Sequence, residues 1–448
     1  MGNLETKPKH LKTDAERIRD LQCKLYRKSK QEKDFRFYVL YDKVSLMYFL
    51  REAYKKCKAK GGCAGVDGIS FKDIEQLGVE KLLAEIEQEL KDKTYQPQAV
   101  FRVEIPKANG KLRPLGIPTI KDRVIQMSVK MLIEPIFEAD FEDCSYGFRP
   151  NRSAKGAVKT IKHNLRVGKC EIFDADLSGY FDTIPHTELM KLLAMRISDD
   201  DILHLIKMWL KAPVCENNQY TGGRKNKTGT PQGGVISPLL ANIYLNLLDK
   251  AVTRISGKFY KYGVEIVRYA DDFVLMAETI PATCIEYMKR MFGAMKLSLN
   301  EEKSHFVNAY AESFDFLGYT FRYDRGIKNR NRKYWNVIPS SKSEAKMRNN
   351  TREYLKKNGH KSPQVLTKNL NAKIRGWINY FTIPTVSYPA KAKRNMRYYL
   401  DKKLRQYYKR KSQRRSKLYK QGAFQVLIEK YGLIDPTKYA GARATVKG

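Results

Sequence analysis

Three stretches decide the fold: Glu171–Leu177 (EIFDADL), Gly229–Asp249 (GTPQGGVISPLLANIYLNLLD) and Glu265–Met276 (EIVRYADDFVLM). In the first, the period-two alternation of a strand puts Asp174 and Asp176 on the face opposite Phe173, Ala175 and Leu177. Two carboxylates therefore end a hydrophobic strand. In the third, two apolar strands flank Ala270-Asp271-Asp272, a hairpin with carboxylates at its tip. Aspartates also make good turns, so neither stretch alone speaks for chemistry. The middle stretch supplies context. Gly229, Gly233 and Gly234 let a ligand approach the backbone, and Ser237-Pro238 reads as the cap and first position of a helix with Leu239, Ile243 and Leu247 inward. A glycine loop entering a helix, between two carboxylate-bearing strands, is the pattern of a polymerase palm.

Composition agrees. The 448 residues, 42% hydrophobic and 11% aromatic, are too apolar for a disordered chain and suggest roughly three domains. No apolar run reaches the roughly 18 residues of a membrane span, so no membrane role is expected. Lys and Arg number 85 against 48 Asp and Glu, for a net charge of +37. Of this excess, +28 falls in Phe321–Gly448, with 34 cations and 6 acids. Such a surface suits a polyanion. The seven cysteines, an odd number without a C-x-x-C pair, read as reduced thiols of a cytoplasmic protein.

Working outward, residues 14–58 carry apolar positions at helical spacing among many cations, with Thr13 or Asp14 able to cap. Gly61–Gly68 (GGCAGVDG) breaks the chain. Phe101–Pro106 and Leu112–Ile117 are strand-like, and Asn109-Gly110 between them signals a two-residue type I′ hairpin. Helices are expected at Asp122–Phe137, Ala154–Leu165, His186–Ala194 and Asp199–Leu210, and residues 342–431 read as all helical. In Lys391–Lys409, Met396, Leu400, Leu404 and Tyr407 form one apolar face with a basic exterior. The six histidines show no metal spacing.

These residues resemble the reverse transcriptases encoded by group II introns, the intron maturases. The resemblance runs from about Gly61 to Phe381 and rests on GVDG at Gly65, IPKANGKLRPLGIP from Ile105, YGFRPNRS from Tyr146, DLSGYFD from Asp176, GTPQGG from Gly229, YADD from Tyr269, LNEEKS from Leu299, FLGY from Phe316 and RGWINYF from Arg375. It implies an α+β right-hand polymerase whose palm holds an antiparallel sheet and the YADD hairpin. The implied order is a basic helical extension (1–58), fingers (59–145), palm (146–330), a helical thumb or maturase region (331–420) and a tail (421–448).

The resemblance implies that Asp176, Asp271 and, less directly, Asp272 are catalytic and bind two Mg²⁺ ions, with Mn²⁺ as a substitute. Asp174 shares the strand face of Asp176, but the D-x4-F spacing to Phe181 selects Asp176. Phe181 stands where such enzymes exclude a 2′-hydroxyl, or else is a core phenylalanine; Gln232 stands where they contact the incoming nucleotide. Lys107, Arg113 and Lys303 are the implied cations for the triphosphate and pyrophosphate. In an ideal two-residue hairpin Lys107 faces away from Arg113, so both serve only if the strands twist or bulge. Arg375, Arg394, Arg397 and Arg405 are the nucleic-acid contacts expected in the thumb. The partners implied are an RNA template, a DNA primer, dNTPs and an intron RNA, with monomer and dimer both open. A free-standing reverse transcriptase for defence or repair and a non-catalytic RNA-binding splicing factor are the rivals; intact Asp176, Asp271 and Asp272 weigh against the latter.

Overall fold

The computed structural model describes residues 12–106, 112–325, 331–358, 361–410 and 417–440. The chain forms two compact units, one of Met1–Arg152, Ala175–Val274 and Pro281–Ser304, the other of Ser153–Asp174, Leu275–Ile280 and His305–Gly448.

In the first unit two helices, Ile120–Glu138 and Ser237–Thr253, carry apolar residues on more than one face and are largely buried. Val124, Ile125, Val129, Leu132 and Ile133 of one and Leu240, Tyr244, Leu245 and Leu248 of the other are almost wholly inaccessible. The basic N-terminal helix Asp14–Gln31 starts with a capping box between Thr13 and Glu16 and is fixed by Ser29, whose hydroxyl donates to Ile136 O at 2.8 Å. Strands β1 (Val100–Pro106) and β2 (Leu112–Ile117) pair with β4 (Pro213–Glu216) and β5 (Gln219–Gly222) in the order β2-β1-β4-β5. A second sheet, order β6-β7-β3-β8, is made from β3 (Glu171–Ala175), β6 (Glu265–Tyr269), β7 (Asp272–Ala277) and β8 (His305–Asn308).

In the second unit β9 (Phe314–Phe316), β10 (Tyr319–Arg325) and β11 (Lys333–Pro339) form an antiparallel sheet. Helices Ser341–Lys357, Pro363–Phe381, Ala390–Arg410 and Ala423–Tyr431 follow, sharing a core of Leu366, Leu370, Ile374, Ile378, Leu400, Leu404 and Leu427. Among the described residues no helix is long and apolar enough to cross a membrane.

The Asn109-Gly110 turn lies outside the described residues; the strands that flank it pair from Phe101↔Ile117 to Pro106↔Leu112. Three local expectations are corrected. Ser237 does not cap its helix: Ile236 occupies that position without a side-chain bond, and Ser237 Oγ donates to Pro231 O at 2.9 Å. Leu247 is exposed rather than inward, because the helix already buries Leu239, Leu240, Ile243 and Leu248. In Ala390–Arg410 the fourth core position is Tyr408, with Tyr407 only partly covered; the four-residue step from Leu404 keeps the face in line.

Lys162 is a buried cation of the second unit facing backbone carbonyls. Its Nζ donates to Val386 O at 2.8 Å and Thr385 O at 3.0 Å, and it lies 4.8 Å from the centre of the Tyr388 ring. Burial, aided by Arg166, lowers its pKa from 10.5 to about 8. The folded state then binds fewer protons than the unfolded one between those values, so this residue's contribution to stability rises with pH there. The stability difference between the wild type and Lys162→Met, from urea unfolding, should shift towards the wild type as pH is raised through that window.

Candidate active site

The hairpin joining β6 to β7 carries Asp271 and Asp272, and its geometry is set from beneath. Arg268, the penultimate residue of β6, and Asp249, near the end of Ser237–Thr253, are both wholly inaccessible. Arg268 Nε donates to Asp249 Oδ1 at 2.8 Å and Nη2 to Oδ2 at 2.5 Å. The remaining nitrogen, Nη1, donates to Asn242 Oδ1 at 3.0 Å and Ala270 O at 2.9 Å. Burial works to lower the guanidinium's pKa, but the charge and hydrogen bonds of Asp249 outweigh it and raise the value, so the guanidinium stays charged. Ala270 takes the left-handed conformation, φ 59°, which costs an L residue roughly 1 kcal/mol. The bond from Arg268 to its carbonyl holds it there.

Gly147 closes the other side: a Cβ on it would stand 2.3 Å from the Ala270 nitrogen, so only glycine fits. Tyr146 N donates to Arg268 O at 2.8 Å and Arg268 N to Cys144 O at 2.9 Å, laying residues 144–147 along β6.

Asp176 lies one residue beyond β3, which stops at Ala175 rather than running to Leu177. Its backbone is held by Ser304, whose Oγ accepts from Asp176 N at 3.2 Å, and by Asn300 N, which donates to Asp176 O at 2.8 Å. Lys303 Nζ donates to Asp176 Oδ2 at 2.6 Å. The lysine's pKa is raised, chiefly by that hydrogen bond, which outweighs the opposing effect of burial, and further by the charges of Asp176, Asp272 and Asp271. Among the described residues no three His, Cys, Asp or Glu side chains are arranged to hold a metal ion; the Asp176 carboxylate is turned onto Lys303. Asp174 lies across from His305 in the β3–β8 register.

The glycine loop is tied to two other elements. Gln232 Nε2 donates to Asp182 Oδ2 at 3.0 Å, and Thr230 N donates to Phe181 O at 2.7 Å, so Phe181, half-buried, and Gln232 belong to one cluster. Gly116 N of β2 donates to Gln232 O at 2.5 Å. Gly233, φ 117°, would bring a Cβ within 2.2 Å of Gly116 O. Packing against β2 therefore requires glycine here. His186 Nε2 lies 2.7 Å from Gly229 O; burial lowers its pKa, so the neutral ring donates Nε2–H to that carbonyl. A cleft of about 260 Å³ beside this cluster is lined by Arg102, Gly116, Asp182 and Thr230–Gln232, but by none of Asp176, Asp271 or Asp272.

Lys107 lies outside the described residues, as does the side chain of Arg113. Arg375, Arg394 and Arg405 are exposed on their helices, and Arg397 Nε lies 3.3 Å from Asp435 Oδ2. Sequence reading missed Arg268, Asp249, Asn242, Gly147 and His186; the signal available was an arginine one residue before the Tyr269–Asp272 motif, on the strand face away from Tyr269.

A sheet ending in carboxylates, with a glycine loop and a buried helix behind it, defines a polymerase-type α/β fold. Residues 105–321 match the family Reverse transcriptase (RNA-dependent DNA polymerase), and residues 345–423 match the Group II intron, maturase-specific domain. Protein YkfC of Escherichia coli (strain K12) is 38% identical over 293 residues, 57% of this chain and 74% of that protein. Group II intron-encoded protein LtrA of Lactococcus lactis subsp. cremoris is 35% identical over 334 residues, 61% of this chain and 55% of LtrA. The chain thus spans a little over half of LtrA. The Putative COX1/OXI3 intron 2 protein of Saccharomyces cerevisiae is 37% identical over 202 residues, 44% of this chain and 23% of that protein. The chain belongs to the group II intron type of reverse transcriptases, with a reverse transcriptase domain followed by an intron maturase domain.

Removing one partner of the buried pair leaves an uncompensated charge, worth about 3–5 kcal/mol. Asp249→Asn should lower unfolding stability by that order in denaturant titration, whereas replacing both Arg268 and Asp249 by apolar residues of similar volume should cost less.

Proposed function

We propose that this chain is an RNA-directed DNA polymerase that extends a DNA primer on an RNA template and also binds a folded intron RNA to assist its splicing. The observation that carries the first half is geometric: Asp176, bonded to Lys303 at 2.6 Å just past the end of β3, and Asp271 and Asp272 on the β6–β7 hairpin belong to one sheet, in which β7 lies beside β3. Those carboxylates come from a strand end and a hairpin in the fixed order of the matching family. In this reading residues 59–145 act as fingers, 146–330 as palm and 331–420 as thumb, with 1–58 a basic extension and 421–448 a tail.

Hard oxygen donors suit Mg²⁺, and Mn²⁺ as its substitute. Asp176, Asp271 and, less directly, Asp272 would hold two such ions, which when bound activate the primer hydroxyl and neutralise the triphosphate. Asp176 must exchange Lys303 for that task, which frees the Lys303 ammonium to meet the leaving pyrophosphate. Lys107 and Arg113 add charge for the triphosphate. Phe181 excludes a 2′-hydroxyl, and Gln232, oriented by Asp182, contacts the incoming nucleotide.

The maturase reading is favoured by the matched domain at 345–423, whose helices expose Arg375, Arg394 and Arg405. Arg397, paired with Asp435, has less charge to offer a phosphate.

With Mg²⁺, the purified chain should extend a DNA primer on an RNA template. Asp271→Asn should cost several orders of magnitude in single-turnover rate, because a ligand charge is lost, while leaving affinity for folded intron RNA within about twofold of wild type. Near-normal extension by that variant would overturn the metal-ligand assignment. No preference of the wild type for intron RNA over a random transcript would overturn the maturase half.

A further inference from the structure

Phe148 is placed at a cost that its own burial does not repay. Its backbone is left-handed, φ 57°, a region that bulky L residues avoid. Its side chain is nevertheless 52% exposed, more than Phe101 at 37% or Phe306 at 45%. The conformation is imposed by its neighbours. Asn242 Nδ2 donates to Gly147 O at 2.8 Å, Tyr146 N is bonded to Arg268 O, and Gly147 is pressed against Ala270. A glycine at 148 would satisfy every one of these constraints without strain. Strain retained together with an exposed aromatic ring is a pointer to function.

The position of the ring says what it faces. It lies 6.4 Å from the Tyr269 ring, centre to centre. Successive strand residues point to opposite faces. Arg268 points to Asp249 and Asn242 of the helix behind, so Tyr269 points to the face away from that helix, and Phe148 stands with it. Asp271 and Asp272 follow directly in the chain.

We propose that Phe148 and Tyr269 form an aromatic platform for the terminal nucleotide of the primer, with Phe148 as a positioning residue. The inference rests on the polymerase reading above: a 3′-hydroxyl delivered to Asp271 brings the nucleotide that bears it beside Tyr269. Aromatic rings hold nucleotides of any sequence by stacking, and loss of one such contact weakens engagement roughly 5- to 100-fold. A primer terminus must be held in just this sequence-independent way.

The test uses the full-length chain and an RNA template annealed to a DNA primer carrying 2-aminopurine at its 3′-terminal position, with a second primer labelled several nucleotides upstream as control. Fluorescence in the complex without dNTP reports the surroundings of the base independently of activity. Phe148→Tyr should reproduce the wild-type signal from the terminal probe. Phe148→Gly and Phe148→Leu should change it while leaving the upstream probe alone. Both should slow extension by about 5- to 100-fold in kcat with the KM for dNTP nearly constant. Phe148→Gly relieves the strained backbone, so its thermal midpoint should equal or exceed that of wild type, which separates loss of the platform from misfolding. Identical terminal-probe signals and rates in wild type, Phe148→Gly and Phe148→Leu would overturn the platform and leave the polymerase reading standing, provided wild type extends the primer. A lowered midpoint for Phe148→Gly would also overturn it, by making the ring structural. A wild-type chain that neither binds nor extends the primer would overturn both.

Discussion

The ion pair between Arg268 and Asp249 is the interaction on which the candidate site depends. Two charges with no solvent access are a liability unless every donor and acceptor is used. Here the guanidinium uses its fork on Asp249 and its remaining nitrogen on Asn242 and Ala270. Through the last of these bonds a buried helix dictates the path of a hairpin turn. The Ala270 conformation and the positions of Asp271 and Asp272 follow, and Gly147 locks the turn from the other side.

A second set of bonds does the same for the glycine-loop side of the candidate site. The carbonyls of Phe181, Gly229 and Gln232 are each claimed, by Thr230, His186 and Gly116. None of these contacts is itself chemical. They join the segment that carries Phe181, the glycine loop that carries Gln232 and the β2 strand that carries Arg113 into a single cluster of the first unit. Precision of this kind is what a positioning mechanism requires, since small displacements of reacting groups are expensive in rate.

The parts of this arrangement that were legible in the sequence are those written in local patterns. Asp176, Asp271 and Asp272 were visible because alternation marks carboxylates at the ends of apolar strands, and the helix and strand series was visible because apolar periodicity decides which segments can share a core. The parts that were not legible depend on pairs distant in sequence. Arg268 and Asp249 stand in separate elements, and a lone arginine in a strand reads as a surface cation until its partner is known. His186 looked like any scattered histidine. Gly233 was marked as special, but its neighbour, the Gly116 backbone, is one that no local pattern announces. Leu247 was drawn inward by a helix pattern that had more apolar residues than its buried face could use.

The direct measurement of whether the buried pair aims the carboxylates is single-turnover dNTP incorporation by Asp249→Asn on an RNA template, under conditions where spectroscopy shows the variant fully folded. Asp249 has no solvent access and reaches the hairpin through Arg268 and the Ala270 carbonyl. The expected result is a fall in kcat of at least tenfold at unchanged primer affinity, from a 1 Å scale displacement of Asp271 and Asp272. A folded Asp249→Asn chain that incorporates dNTP at the wild-type rate would contradict the dependence of the site on this pair.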